Sequence, residues 1–176
     1  AIWTAKQAGY ENLLTFDMGG TSTDVALIQD GIAQTRRETR VGDVTVRASS
    51  VDVRTVGAGG GSIAYVPELT KALRVGPQSA GAEPGPAAYG AGGEEPTVTD
   101  ANLVLGRITP TIAGGTITLN PTPATQVIEK LAAGLKLDVT AAAEGILRIA
   151  IENIAAGIRT VSVKRGRDPR SYALVA

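Results

Sequence analysis

The stretch Phe16-Asp-Met-Gly-Gly-Thr-Ser-Thr-Asp-Val-Ala-Leu-Ile28 sets two adjacent glycines and three hydroxyl side chains between two aspartates. A Gly-Gly-Thr turn between strands exposes backbone N–H groups that no side chain shields. Such a concavity binds anions, phosphate most commonly. Thr21, Ser22 and Thr23 add hydroxyl donors, so Gly19, Gly20, Thr21, Ser22 and Thr23 form a candidate phosphate site. Asp17, where the first strand ends, can reach a metal ion or a water beside the phosphates and is the candidate catalytic residue. The competing reading is a plain glycine hairpin whose aspartates merely cap the turn; Asp24 is either a substrate or lobe contact or a residue that only orients the loop.

A second glycine cluster, Gly57-Ala-Gly-Gly-Gly-Ser62, follows an apolar strand. It lacks the G-x-G-x-x-G spacing of a dinucleotide site. Gly59 and Gly60 suit either a close approach of backbone to ligand or a tight turn that lets two lobes pack. Asp52, on the preceding strand, is either a cleft residue or a solvated strand aspartate. Thr99-Asp100-Ala101-Asn102 most simply caps a short helix.

Composition narrows the chemistry. The 176 residues carry 17 basic and 17 acidic side chains, so no basic excess points to nucleic acid or an anionic membrane. With no cysteine and no histidine, disulfides and soft-metal ligands are excluded; a metal must sit on oxygen, which favours Mg2+. No apolar run approaches the roughly 20 residues of a membrane helix, and no signal-peptide pattern opens the chain. A cytoplasmic protein is the expectation.

The elements that must position these residues alternate between strands and helices. Ile2 to Ala8 reads as a helix closed by Gly9, and Asn12 to Phe16 and Asp24 to Gln29 as strands flanking the glycine turn. Asp30-Gly31 signals a two-residue hairpin into a third strand, Ile32 to Arg40. Val51 to Val56, Ile63 to Val66 and Ala72 to Val75 are further strands. Residues 76–95 are glycine- and proline-rich and read as an ordered loop. Ala101 to Leu105 is a short helix, and Thr122-Pro123 starts another whose apolar face is Val127, Ile128, Leu131 and Leu135. The longest helix is expected from Ala141 to Lys164 on the stripe Leu147, Ile151, Ile154, Ile158 and Val161, closed by Gly166.

FDMGGTSTDVALI resembles the second phosphate loop of the actin, sugar-kinase and Hsp70 ATPase fold. With DVRTVGAGGGSIA from Asp52, RVGPQSAGAEPGPAAYGAGG from Arg74, PTVTDANLVLGR from Pro96 and SVKRGRDPRSYALVA from Ser162, the chain is similar to the hydantoinase A and 5-oxoprolinase family, which includes acetone and acetophenone carboxylase subunits. The fold this implies is α/β, an actin-like (ribonuclease H-like) ATPase lobe with a mixed sheet and flanking helices, residues 1–176 forming one lobe of a longer chain.

The resemblance implies ATP and Mg2+, and phosphorylation of the oxygen of a cyclic amide or a ketone. On it, Asp17 would manage Mg2+ or water, Gly19, Gly20 and Thr21 would hold phosphate oxygens, and Asp100 or Asn102 would also face substrate. An N-terminal lobe or companion subunit, an oligomer, and inactivity of this segment by itself are further expectations. So is a non-catalytic structural role as the alternative. Two departures matter: Ala88 stands where relatives often carry cysteine, and Arg54 where some carry histidine. Thiol catalysis from this segment is therefore excluded.

Overall fold

The structure is a computed structural model that describes residues 1–176 apart from the side chain of Ala113. In chain order the first elements are α1 (Ile2–Gln7), β1 (Leu13–Met18), β2 (Thr23–Gln29), β3 (Ile32–Ala33), β4 (Thr35–Arg36), β5 (Thr39–Val41), β6 (Val44–Val46), β7 (Ser50–Val51) and β8 (Val53–Val56). There follow β9 (Ser62–Tyr65), β10 (Arg74–Ser79), α2 (Val98–Val104), β11 (Thr111–Ile112), β12 (Ile117–Thr118), α3 (Pro121–Leu135), α4 (Val139–Val161) and β13 (Ala173–Val175). These divide into two compact units. The first holds Ala1–Asp17, Thr23–Val56 and Ala155–Ala176; the second holds Met18–Ser22 and Gly57–Ile154.

The first unit is built on a mixed sheet in the order β13-β1-β2-β3, with β8 also paired to β2. β13 runs parallel to β1, whereas β3 and β8 are antiparallel to β2. The runs Leu13-Leu14 and Val25-Ala-Leu-Ile28 are apolar without alternation because both sheet faces are covered. Leu14, Val25 and Leu27 pack with Val161, Ile158 and Tyr172. Leu13 and Ile28 pack with Ala5 of α1. The hairpin at Asp30-Gly31 is as expected, with φ of 52° and 71° at its two central residues. The strand expected over Ile32 to Arg40 is broken into β3, β4 and β5, because its partner changes: β3 pairs β2, β4 pairs β7 and β5 pairs β6.

The second unit is a helical layer with two short strand pairs. Ile128 and Ile146, both fully buried, centre a core with Val75, Val98, Val127 and four alanines of α3 and α4. The strand expected from Ala72 to Val75 instead runs from Arg74 to Ser79, taking in Gly76 and Pro77. The pairing with β9 shifts register between Val75 and Ser79, and such an irregularity accommodates a proline that cannot donate to the ladder. α3 starts earlier than expected, at Pro121, because the Asn120 side chain accepts from Thr122 N–H at 3.0 Å and caps it. α4 starts at Val139, where Asp138 Oδ1 accepts from Ala141 N–H at 2.7 Å. Ile151 is 59% exposed and leaves the expected stripe, since Ala143, Ile146, Leu147 and Ala150 turn the buried face aside from it. A stripe drawn through large residues misses alanines that pack equally close.

Candidate phosphate-binding turn

Gly19 N–H donates to Ser22 O at 2.8 Å and closes the turn. Its carbonyls are gripped from behind by the second glycine cluster: Gly60 N–H donates to Gly19 O at 3.0 Å and Gly61 N–H to Gly20 O at 2.5 Å. Each trans peptide is planar, with its C=O and N–H pointing in opposite directions. Tying down the Gly19 carbonyl therefore aims Gly20 N–H away from the cluster, and tying down the Gly20 carbonyl does the same for Thr21 N–H. Among the described residues, the N–H groups of Gly20, Thr21 and Ser22 have no protein acceptor. Three successive free amides, two fixed in direction, make a concavity of the general kind that suits an anion. Thr21 is exposed and Ser22 half-buried, so both hydroxyls can join them.

The second cluster is glycine for steric reasons. A Cβ on Gly59 would lie 2.7 Å from Gly19 O and 2.8 Å from both Gly20 C and Gly20 O. On Gly61 it would lie 3.0 Å from Gly20 O, and on Gly60 2.8 Å from Thr99 Oγ1. None of the three has a positive φ. The cluster's own groups are satisfied too: Gly59 O accepts from Ser62 N–H at 3.1 Å, Gly61 O from Ala80 N–H at 2.9 Å, and Gly60 O from both Thr99 N–H at 2.8 Å and Thr99 Oγ1 at 2.9 Å. Neither reading left open for Gly59 and Gly60 named the neighbour that does approach, the Gly19-Gly20 backbone.

Asp17, next to last in β1, has its side chain exposed and lines an open groove of about 560 Å³ with Thr15, Phe16, Asp24, Val53 and Val175. Thr55 Oγ1 donates to Asp24 Oδ1 at 2.6 Å and fixes that carboxylate on the first unit's sheet. No group of three His, Cys, Asp or Glu stands together among the described residues. Mg2+ asks for less, because it is held by one or two carboxylates with phosphate oxygens and waters completing its shell. Asp17, with Asp24 on the same groove, fits that requirement.

Asp52 and Thr23 differ from their sequence reading, whereas Asp100 takes the helix-capping role expected of its segment. Asp52 is neither solvated nor open to a cleft: it is 6% exposed, and Arg165 Nη2 donates to its Oδ2 at 2.5 Å. Arg36 and Arg54 lie 3.7 and 3.6 Å from its Oδ1. Its carboxylate joins β4, β8 and the turn after α4, and three guanidiniums claim it. Asp100 is wholly buried, with Thr97 N–H, Thr97 Oγ1 and Ala88 N–H donating to its two oxygens at 2.9, 2.7 and 2.7 Å. Burial pushes its carboxyl above the ordinary value, against the downward pull of those hydrogen bonds. With Thr97 it forms a capping box on α2, and it also ties down the Ala87–Tyr89 turn. Thr23 is fully buried and bonded elsewhere, unlike Thr21 and Ser22.

Asn102 is half-buried on α2, its carbonyl accepting from Arg107 N–H at 2.8 Å. Ala88 packs in a small core with Leu103, Leu119 and Ala124. Sequence reading missed Thr99, Ser62 and the arginines around Asp52. The available signal was that two side-chain-free runs in one chain suit each other's backbones.

The comparisons with known proteins agree along the whole chain. The hydantoinase/oxoprolinase family model matches residues 1–176. Caprolactamase subunit alpha of Pseudomonas jessenii is 44% identical over 99% of this chain and 25% of its own length. The acetophenone carboxylase gamma subunit of Aromatoleum aromaticum is 42% identical over 100% of this chain and 24% of its own. The crystal structure of ATP-dependent caprolactamase from Pseudomonas jessenii superposes with a TM-score of 0.89 at 43% identity, over 98% of this chain and 25% of that one. The chain thus spans about a quarter of the length of these relatives.

Proposed function

The chain belongs to the hydantoinase/oxoprolinase family, and on that premise we propose that it carries the ATP phosphate site of a longer enzyme that opens a cyclic amide of the hydantoin or 5-oxoproline type. The observation that carries this reading is the row of free N–H groups at Gly20, Thr21 and Ser22, held by the Gly60 and Gly61 bonds behind them. Phosphate oxygens accept from these amides and from the Thr21 and Ser22 hydroxyls. Asp17 would hold a Mg2+ ion, which would supply neutralisation of the phosphate charge.

An amide is a poor electrophile because its nitrogen donates into the carbonyl. Attack of the amide oxygen on the γ-phosphorus breaks the bond to ADP and turns that oxygen into part of a leaving group. Water then adds to the ring carbon, and the ring C–N bond breaks to give an amine and an acyl phosphate. A second water releases phosphate from the acyl carbon. The turn's share is electrostatic: amides already aimed at the phosphate need no reorganisation when charge shifts during transfer. Localisation in the cytoplasm, a companion lobe or subunit and an oligomeric assembly complete the proposal; no helix among the described residues is long and apolar enough to cross a membrane.

The carboxylase relative supports a second reading, in which the same turn serves ATP-driven activation of a ketone. Phosphate release by the full-length enzyme, measured with hydantoin, 5-oxoproline or caprolactam and separately with acetone or acetophenone plus bicarbonate, separates the two. The first reading expects stimulation by a cyclic amide; stimulation by a ketone alone refutes it in favour of the second.

A further inference from the structure

We propose that Thr99 is a positioning residue for the phosphate site, acting through the Gly60–Gly61 peptide; this rests on the reading of the Gly19–Ser22 turn as the ATP phosphate site. Two relays of planar peptides converge on the turn. In one, Ser62 N–H holds Gly59 O, which aims Gly60 N–H at Gly19 O and so directs Gly20 N–H outward. In the other, Thr99 holds Gly60 O, which aims Gly61 N–H at Gly20 O and so directs Thr21 N–H outward. The first relay ends in a backbone amide alone. The second ends in two donors on one oxygen, Thr99 N–H at 2.8 Å and Thr99 Oγ1 at 2.9 Å.

The hydroxyl has no other task in the local fold. The α2 capping box is complete without it, made by Thr97 and Asp100. Thr99 is partly buried, whereas those two are wholly so. Hydrogen bonds in series polarise one another, so a donor at the far end strengthens the outward amide as well as orienting it. Thr99 therefore sets both the direction and the donor strength of Thr21 N–H while touching no ligand itself.

The test is steady-state kinetics on the full-length enzyme with Thr99→Val, which keeps shape and backbone donor but loses the hydroxyl, and with Thr99→Ser, which restores it. One hydrogen bond of ordinary net strength predicts a rise of about threefold to tenfold in KM for ATP in Thr99→Val. The KM for the cyclic amide should stay unchanged, and Thr99→Ser should lie close to wild type. An unchanged KM for ATP overturns the proposal, as does an equal rise for both substrates in step with lost thermal stability. Asp17→Ala, measured alongside, separates the two levels. If it abolishes turnover while Thr99→Val does nothing, Thr99 is only structural and the phosphate reading stands; if it turns over normally, that reading fails and the proposal with it.

Discussion

Gly59→Ala is the smallest change that separates a built phosphate site from an ordinary glycine turn. The added methyl would stand 2.7–2.8 Å from three backbone atoms of Gly19 and Gly20. Non-bonded heavy atoms prefer about 3.5–4.0 Å, so the segments must part by roughly 0.7 Å or more. No rotamer relieves this, because the obstacles are backbone. That displacement takes Gly60 N to Gly19 O from 3.0 Å, and Gly61 N to Gly20 O from 2.5 Å, to the edge of hydrogen-bond range or past it. Overpacking costs about 1–3 kcal/mol and each lost bond about 1 kcal/mol, giving roughly 3–5 kcal/mol if the core resists. If the turn yields instead, the cost falls on ATP, because Gly20 and Thr21 N–H are no longer held outward.

The assay is thermal melting together with KM for ATP in the full-length enzyme, with Gly57→Ala as control. A Cβ on Gly57 meets only Pro77 Cβ at 3.4 Å, an ordinary contact. The expected result is at least a tenfold rise in KM for ATP, or a melting loss of several degrees, in Gly59→Ala alone. Wild-type values for both would refute the contact between the two glycine runs as the device that shapes the site.

Three further outcomes follow from the packing and the buried carboxylates. Gly157→Ala should gain about 1 kcal/mol from helix propensity, yet its Cβ would clash with Val56 Cγ2. A net loss of up to about 2 kcal/mol in urea unfolding is expected, with Val56→Ala in the same chain relieving it; additivity of the two changes would contradict the clash. Asp52→Asn leaves Arg36, Arg54 and Arg165 without their common counter-charge. Because those guanidiniums are a third to a half exposed, the expected cost is about 1–3 kcal/mol, below that of a fully buried pair; no loss would mean that water already screens the cluster.

Asp100→Asn should cost about 1–3 kcal/mol at neutral pH, because an amide cannot accept at both oxygens of the box. The folded Asp100 carboxyl titrates above the ordinary 3.8, so the folded state takes up its proton first. The part of the stability linked to this proton is therefore fully present below 3.8 and lost as pH rises through the raised value, while the hydrogen bonds of the box remain. The melting gap between wild type and Asp100→Asn should widen on acidification across that window. A constant gap would show that the carboxyl titrates normally.

The paired strands, the Asp30-Gly31 hairpin and the long helix were legible because each is dictated by local pattern: apolar runs, a turn dipeptide, a helical period. Their limits were less legible where a partner decides. Arg36 and Thr39 sit in separate strands because they pair with different neighbours, and no local pattern records that change. The Gly19–Ser22 turn itself was readable from its glycines and hydroxyls. Its backing was not, since glycine writes no identity for what approaches it; Gly59 fits a ligand, a lobe or another turn equally well until distances are known. Asp52 was misread, and the full donor set of Asp100 was unforeseen, for one reason: a carboxylate in sequence carries no record of the donors that folding brings to it. Arg165 reaches Asp52 from 113 residues away.

The most direct measurement is ATP turnover by the full-length enzyme bearing Asp17→Ala, with circular dichroism and melting to verify its fold. Asp17 is exposed at the end of β1 and supports no core, so the fold should be unaltered. The account predicts that substrate-stimulated phosphate release falls to background, with melting within a degree or two of wild type. Turnover near the wild-type rate by a properly folded Asp17→Ala enzyme would contradict the assignment of the turn as its phosphate site.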